Sequence, residues 1–350
     1  MTDLVGANLG VVCDGRDNSA ALTSLFAAIT SGSRVTLPSG VCRFSGPLTL
    51  PGVDDVRLDA GGCVLTYTGS YLWCDLVTLG TSVGASGNWC SAAGWKISDF
   101  TIRSLTPMLA GAGLKLNDVC DSVIDNFTGD GNKRGNGNLF NGMHWDGGNS
   151  VTWNGGCARG KNAAFIVNGD FGQQFTDPTL AGGITLVQSG DGLVVGGNVG
   201  GLQVDQTNIL ENRRNVVIDN SQIGLANNQL FFGPHCTVDV TSGSPDQGFI
   251  VNDFGGPLSY LFYKGWIASS GGFGMGFGPG VKWQAQLDGA TVLGNKGDGI
   301  IVLSTGVTLS VVGGRVQGNG GYGIHTVPGV SVTTSGVLFG GNGLGDMGVG

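Results

Sequence analysis

One short element recurs through this sequence: a glycine followed by apolar, variable and apolar residues. It stands at Gly113-Leu114-Lys115-Leu116, Gly142-Met143-His144-Trp145, Gly192-Leu193-Val194-Val195, Gly248-Phe249-Ile250-Val251, Gly299-Ile300-Ile301-Val302 and Gly323-Ile324-His325-Thr326. Ala164-Phe165-Ile166-Val167 and Asn215-Val216-Val217-Ile218 are variants with another first residue. Successive starts lie 22 to 33 residues apart, with one gap of 51 that holds a degenerate copy near Gly276-Phe277. Alternation of this kind is a β-strand signal. A unit this short cannot bury its own apolar face, so only stacked units make a continuous core. The repeat predicts an all-β fold, a right-handed single-stranded parallel β-helix.

Each unit carries further marks. A second alternating segment precedes the glycine element, as at Leu202-Gln203-Val204, Val281-Lys282-Trp283, Val307-Thr308-Leu309 and Val330-Ser331-Val332. Then an apolar residue stands three before an asparagine: Ile209 before Asn212, Val292 before Asn295, Val316 before Asn319, Phe339 before Asn342. Asparagines repeated at one point of a solenoid turn predict an internal ladder that bonds backbone.

Composition agrees. The 350 residues include 68 glycines, only 12% are charged and 41% are hydrophobic. Glycine without a three-residue period is not collagen, and low charge with ample apolar content is not disorder. Glycine on this scale serves tight turns. A net charge of -8 argues against nucleic acid, which calls for a basic stripe. There is no 18-residue apolar run, so no membrane span is expected, and no signal peptide is recognisable after Met1. The eight cysteines show no CxxC pair, so no metal site and no cofactor is expected. Without an export signal they are read as reduced, mostly buried thiols, with a disulfide near the N-terminus as the alternative.

The first 60 residues differ from the rest. Leu22, Leu25, Phe26 and Ile29 fall at helical spacing behind Asp17 and Asn18, either of which suits a helix cap. Val35-Thr36-Leu37, Pro38-Ser39-Gly40 and Val41-Cys42-Arg43-Phe44 read as strand, turn, strand. Residues 1–60 are expected to form a cap of one short helix and the first strands, blocking the open edge of the solenoid. Residues 61–350 are expected to form the body, with irregular loops at 128–141, 170–190 and 252–280.

The run Cys13-Asp14-Gly15-Arg16-Asp17-Asn18-Ser19-Ala20-Ala21-Leu22, followed by Val35-Thr36-Leu37-Pro38-Ser39-Gly40, resembles the start of the pectate-lyase superfamily (pectin-lyase-like) domain. That domain is common in bacteriophage tailspike and tail-fibre proteins and in some bacterial polysaccharide-degrading enzymes. The resemblance implies a homotrimer of parallel β-helices on a virion tail that binds, and often cuts, bacterial surface polysaccharide. A secreted or cell-surface bacterial protein is the other location it allows. Neither a virion-attachment segment before the cap nor a trimerisation domain after Gly340-Gly341-Asn342-Gly343-Leu344-Gly345 is recognisable.

Strand alternation sorts side chains into inner and outer columns. The middle residue of each glycine element should point outward: Lys115, His144, Ile166, Val194, Val217, Ile250, Ile301, His325. Ile166, Val194, Val217, Ile250 and Ile301 would then form an exposed apolar stripe, the mark of an interface, here the homotrimer's. A long loop of the same chain could cover it instead. Outward positions of the other segments are polar: Thr152, Asn154, Gln203, Asp205, Thr237, Asp239, Lys282, Gln284, Thr308 and Ser310. Among them Asp205, after Val204, and Asp239, after Val238, are read as one strand spacing apart, near the carboxylate separation of a retaining glycosidase. Glu211, the chain's only glutamate, stands where other turns have Gly294, Gly318 and Gly341. Asp205, Asp239 and Glu211 are therefore the catalytic candidates, with Arg213, Arg214, Gln203, Lys282, Gln284 and Asn154 as substrate-binding candidates. Ordinary solvent-facing aspartates and a salt-bridged Glu211 are the plainer reading.

Two other functions stay open. A uronate lyase would use a base such as Lys264, Tyr260 or Tyr263, with Arg213 and Arg214 on the uronate. Asp125, Asp130 and Asn132 share one loop but lack calcium-site spacing. A non-catalytic receptor-binding or structural spike is the alternative from another class. The aromatics of 252–280 (Phe254, Tyr260, Phe262, Tyr263, Trp266, Phe273, Phe277) could stack on sugars, although packing is the favoured reading.

Overall fold

The computed structural model describes residues 2–82, 90–130, 137–170, 173–242 and 246–350. They form an all-β parallel solenoid of about 12 turns with one α-helix. The chain divides into two compact units, Met1–Ile184 and Thr185–Gly350.

In the first unit the helix is Ser19–Ala27. It buries Leu22, Leu25 and Phe26 and packs on Leu48–Leu50, the edge strand of one sheet. Each buried side chain of this size contributes about 2 kcal/mol. The Asp17 carboxylate accepts from the Ser19 N–H at 2.9 Å, whereas the Asn18 amide turns back to accept from the Val12 N–H at 2.7 Å. From Leu48–Leu50 this sheet runs in parallel through Val77–Leu79, Ala112–Cys120 and Asn141–Asn149 to Ala163–Asn168. Leu114, Met143 and Phe165 share one buried column; Lys115, His144 and Ile166 share the next. Trp145 lies inside, edge-on to Phe165 at 4.9 Å. A second, bent sheet holds Arg57–Asp59, Lys96–Ser98, Val123–Gly129 and Thr152–Ala158.

Four of the eight cysteines depart from the reduced reading, one pair of them as the N-terminal disulfide held as its alternative, and Cys63, Cys74, Cys157 and Cys236 form no disulfide. Cys13–Cys42 and Cys90–Cys120 are disulfides. Register, not spacing in sequence, brings these residues together, and none is in a CxxC pair.

The second unit repeats the plan. Its glycine-led sheet runs Asp191–Val195, Arg214–Ile218, Gln247–Val251, Met275–Phe277, Ile300–Val302, Tyr322–Thr326, Gly345–Val349. The glycine is demanded by the next turn's backbone. A Cβ on Gly248 would lie 2.4 Å from the Gly274 carbonyl oxygen, and one on Gly299 would lie 2.6 Å from that of Gly323. The asparagine ladder is present, with Asn295 and Asn319 buried and Asn342 half-buried at its end. Asn295 Nδ2 donates to Asn319 Oδ1 at 2.9 Å, and Asn319 Nδ2 donates to Asn342 Oδ1 at 3.0 Å. Each carbonyl also accepts a backbone N–H, as Asn295 does from Ser270 at 3.0 Å.

The expected irregular stretches contain regular strands. Residues 252–280 supply Tyr260–Tyr263, Trp266–Ala268 and Met275–Phe277, a whole turn in register with its neighbours. The glycine spacing hides it, but Tyr260-Leu261-Phe262-Tyr263 alternates as a strand should. Residues 170–190 contain Phe175–Thr176 and Thr179–Val187. Within 128–141, residues 131–136 lie outside the described residues, and Asn132 with them.

The outer apolar column stacks as expected: Val194, Val217, Ile250, Gly276 and Ile301 are register partners. It is not an exposed stripe, however. Val194, Val217 and Ile250 are only 7%, 3% and 4% accessible, and Ile166 of the first unit 5%. The Phe273 ring sits where a side chain on Gly276 would be. The single chain covers most of this column.

Candidate functional site

The bent sheet of the second unit carries the polar outer face. Its leading strands are Gln203–Val204, Leu230–Phe232, Tyr260–Tyr263, Gln284–Asp288, Thr308–Val312 and Ser331–Ser335. Inward residues Leu230, Phe232, Leu261 and Tyr263 are fully buried. The outward column reads Gln203, Phe231, Phe262, Gln286, Ser310, Thr333. Two aromatic rings thus stand side by side in a column otherwise made of amides and hydroxyls.

Those rings wall a cleft of about 440 Å³, shared with Gln203, Asp205, Pro234 and Lys264. Phe231 lies 6.5 Å from Phe262 and 6.4 Å from Tyr260, measured between ring centres. Tyr260 donates its hydroxyl to Gln286 Oε1 at 2.9 Å. Lys264 reaches over the Phe262 ring at 5.3 Å and pairs with Asp288 at 2.9 Å. The Asp205 carboxylate accepts from the His235 backbone N–H at 3.1 Å and stands 3.5 Å from that imidazole. It lies against Gly233, where a Cβ would come within 2.7 Å of it. A second cleft of about 550 Å³ opens over the same sheet, lined by Lys282, Gln284, Trp283, Ser259 and Thr308. Pockets of these sizes suit small organic ligands.

The sequence-derived candidates separate. Gln203 and Asp205 share the aromatic cleft, and Lys282 and Gln284 share its neighbour. Asp239 is not Asp205's register partner; it lies opposite Leu210, and Val204 lies opposite Phe232. Each turn has two alternating strands in the bent sheet. The sequence comparison matched the first strand of one turn to the second strand of the next.

Glu211 follows Leu210 and Val240 follows Asp239, so Glu211 and Asp239 occupy diagonal positions on adjacent strands. Asp239 Oδ1 accepts from the Val240 N–H at 2.8 Å, and Glu211 Oε2 accepts from Gln188 at 2.9 Å. Glu211 is also less singular than the glycine comparison suggests. Its left-handed backbone, φ 57°, belongs to a column with Gln188, Val240 and Ser269 as well as Gly294, Gly318 and Gly341. Only the last three of these are glycine.

Arg213 and Arg214 meet a residue that sequence reasoning passed over. Arg214 grips the buried Asp191 with two bonds, 2.7 and 2.6 Å, and Arg213 lies 3.8 Å from it. Asp191 holds the Arg214 guanidinium above its ordinary pKa. In the first unit, Asn154 donates to Asp125 at 3.1 Å, and Lys96 pairs with Asp125 at 3.1 Å. Of the lyase candidates, Tyr263 is completely buried, and burial raises its phenol well above the ordinary value. Burial also raises Tyr260, and Lys264 is committed to Asp288.

Two other clusters lie in the first unit. Lys115 lies 3.3 Å from Asp146 and 4.0 Å from Asp75, beside His144, whose imidazole burial lowers. The sulfurs of Cys13, Cys42 and Cys63 lie within 4.8 Å of one another, the one such metal-ligand grouping among the described residues. Two of these form a disulfide, and burial pushes the Cys63 thiol up to about 12. That is not a set of three thiolates ready for a metal. Phe231 and Phe262 were the residues sequence reasoning undervalued. Their signal is an apolar residue at an outward position, as in Leu230-Phe231-Phe232.

No protein-family model and no curated protein matches the chain. Solved structures do. The Dettilon tailspike protein superimposes with a TM-score of 0.65 at 13% identity, covering 99% of this chain and 68% of its own. The catalytic unit of a thermostable alpha-1,3-glucanase from Streptomyces thermodiastaticus gives 0.56 at 13% identity, over 99% of this chain and 67% of its own. The A-module of a mannuronan C-5 epimerase from Azotobacter vinelandii gives 0.51 at 15% identity, over 99% and 98%. At such identities the fold is what is shared. The resemblance carried by Cys13–Leu22 and Val35–Gly40 holds at that level: the chain has the right-handed parallel β-helix fold of pectate-lyase type.

Proposed function

We propose that this chain is a tailspike-type depolymerase that binds bacterial surface polysaccharide on the bent sheet of its second unit and cleaves it by glycoside hydrolysis. The observation that carries the reading is the cleft in which Phe231 and Phe262 stand beside Gln203 and Asp205. Aromatic rings take the C–H face of a sugar, and an amide and a carboxylate take its hydroxyls. A tailspike and a glucanase share the fold, which supports the reading without naming the sugar. Asp205 is the acid or base that a sugar in this cleft would meet first. Glu211 and Asp239, on the second strands of this turn and the next, are the other carboxylates proposed to take part in the chemistry, which needs two such groups in different protonation states. Assembly as a homotrimer on a virion tail is proposed with it, and the column Ile166, Val194, Val217, Ile250, Ile301 contributes mainly through Ile301, the least covered of the five.

Release of reducing ends from purified host polysaccharide tests the reading. Asp205→Asn should lower the rate by about 10²-fold or more, the usual worth of a general acid or base, with binding retained. Tight binding with no release would leave a non-catalytic receptor-binding spike. Products absorbing as unsaturated uronates would turn the reading to a lyase, which the buried Tyr263 and the paired Lys264 disfavour.

A further inference from the structure

We infer that the sugar held in the aromatic cleft is uncharged, so that the polymer is recognised there by stacking and hydroxyl hydrogen bonds and not by its charge; this rests on the polysaccharide reading above.

The inference comes from how the charges of the cleft are already spent. An anionic sugar such as a uronate needs a cation whose charge is free to meet it, best of all a guanidinium fork. Lys264 is the cation lining this cleft, and its ammonium is held by Asp288 at 2.9 Å while lying over the Phe262 ring at 5.3 Å. His235 stands at the rim, facing Asp205 at 3.5 Å. The two arginines expected to receive a uronate are turned onto Asp191, at 2.6 and 3.8 Å. Asp205 lines the cleft, and the one lysine in that lining is already paired with Asp288. A ligand carboxylate entering it would meet repulsion from Asp205 with no unspent positive charge in return.

What the cleft does offer suits a neutral ring. Phe231 and Phe262 are register partners on adjacent parallel strands, and their rings, 6.5 Å apart between centres, present an apolar ledge. Gln203 begins the same column, and Gln286 continues it beyond Phe262. Their amides offer both donors and acceptors, which match hydroxyls and do not select for charge. Lys282 lines the neighbouring cleft, whose lining holds no carboxylate. The inference accordingly concerns the aromatic cleft alone.

The full chain would be applied to an array of purified bacterial surface polysaccharides, one set neutral and one set bearing uronic acids, at low and at high salt. Binding within the neutral set, changed less than about twofold by salt, is expected, since screening acts on charge and not on stacking. Phe231→Leu and Phe262→Leu keep an apolar side chain at these half-exposed positions but remove the ring, and each should weaken that binding by about thirtyfold, the lower end of an aromatic hot spot. Asp288→Asn releases Lys264 and should add binding to the uronate set. Salt-sensitive binding of the unaltered chain to uronate polymers alone would overturn the neutral-sugar inference and leave the polysaccharide reading standing. Neutral binding indifferent to both leucine variants would overturn the placement of the sugar in this cleft. Failure to bind either set would overturn the polysaccharide reading together with the inference built on it.

Discussion

At the scale of single residues, two positions store energy in ways a substitution can expose. Asp130 is buried, and the loss of hydration raises its carboxyl to about 6 from 3.8. Between roughly pH 4 and 6 the folded chain then keeps a proton that the unfolded chain has lost, so stability falls as pH rises through that window and levels off above it. Two pKa units correspond to about 3 kcal/mol at most. Asp130→Asn should remove that component: melts of the variant between pH 4 and 7 should lose the decline and exceed the parent at pH 7. Val240 holds φ 42° and is 43% exposed, a left-handed backbone on a β-branched residue. Strain of this kind costs of the order of 1–3 kcal/mol. Val240→Gly should raise stability by about 1 kcal/mol in denaturant titration, part of the relief being lost to the flexibility of glycine. Because Val240 follows Asp239 and stands in the Glu211 column, a fall in cleavage rate in that more stable variant would tie the strain to the site.

At the scale of elements, the turn-by-turn register explains what was legible. The glycine element, the inward columns and the asparagine ladder are repeated many times, so each copy corrects the reading of the others. Asn319→Ala tests the ladder. It strips Asn295 of the acceptor that its N–H and amide reach at 3.2 and 2.9 Å. Stranded buried donors cost about 1–3 kcal/mol each, so a loss of about 3 kcal/mol is expected, with faster amide hydrogen exchange in the turns beside it. The outer column answers a different question. An aspartate at Val217 would be a buried charge in the single chain, so Val217→Asp should fail to fold in place of yielding a stable monomer. What the sequence concealed was pairing across turns of unequal length. Val204 and Val238 look equivalent in a list of alternating segments, but they belong to different strands of the bent sheet, and only backbone hydrogen bonding tells them apart. The ion pairs of Arg213 and Arg214 with Asp191 were hidden for the same reason, since 22 residues or more separate partners that one strand spacing brings together. The aromatic ledge was half visible: the ring positions could be read, but not the cleft that they wall.

At the scale of the whole molecule, side chains from successive turns of the second unit line up along the stack, which is how Phe231 and Phe262 come to stand in one cleft. A linear ligand suits a linear stack, and the proposed homotrimer would multiply weak contacts by presenting three such faces to one cell surface. Sedimentation equilibrium should give three chain masses; a single chain mass would remove that part of the proposal. The same stack also fixes how the molecule ages. Asparagine followed by glycine deamidates when its side chain swings free and is attacked by the next backbone nitrogen. Asn319 and Asn342 both precede glycine, but the ladder holds their amides on both sides. Asn154 also precedes glycine, is exposed, and is held by one bond of 3.1 Å to Asp125. Prolonged storage at mildly alkaline pH should therefore convert Asn154 to aspartate long before either ladder residue, placing a second negative charge against Asp125, so that the shelf life of the protein is set on its surface while its spine stays chemically young.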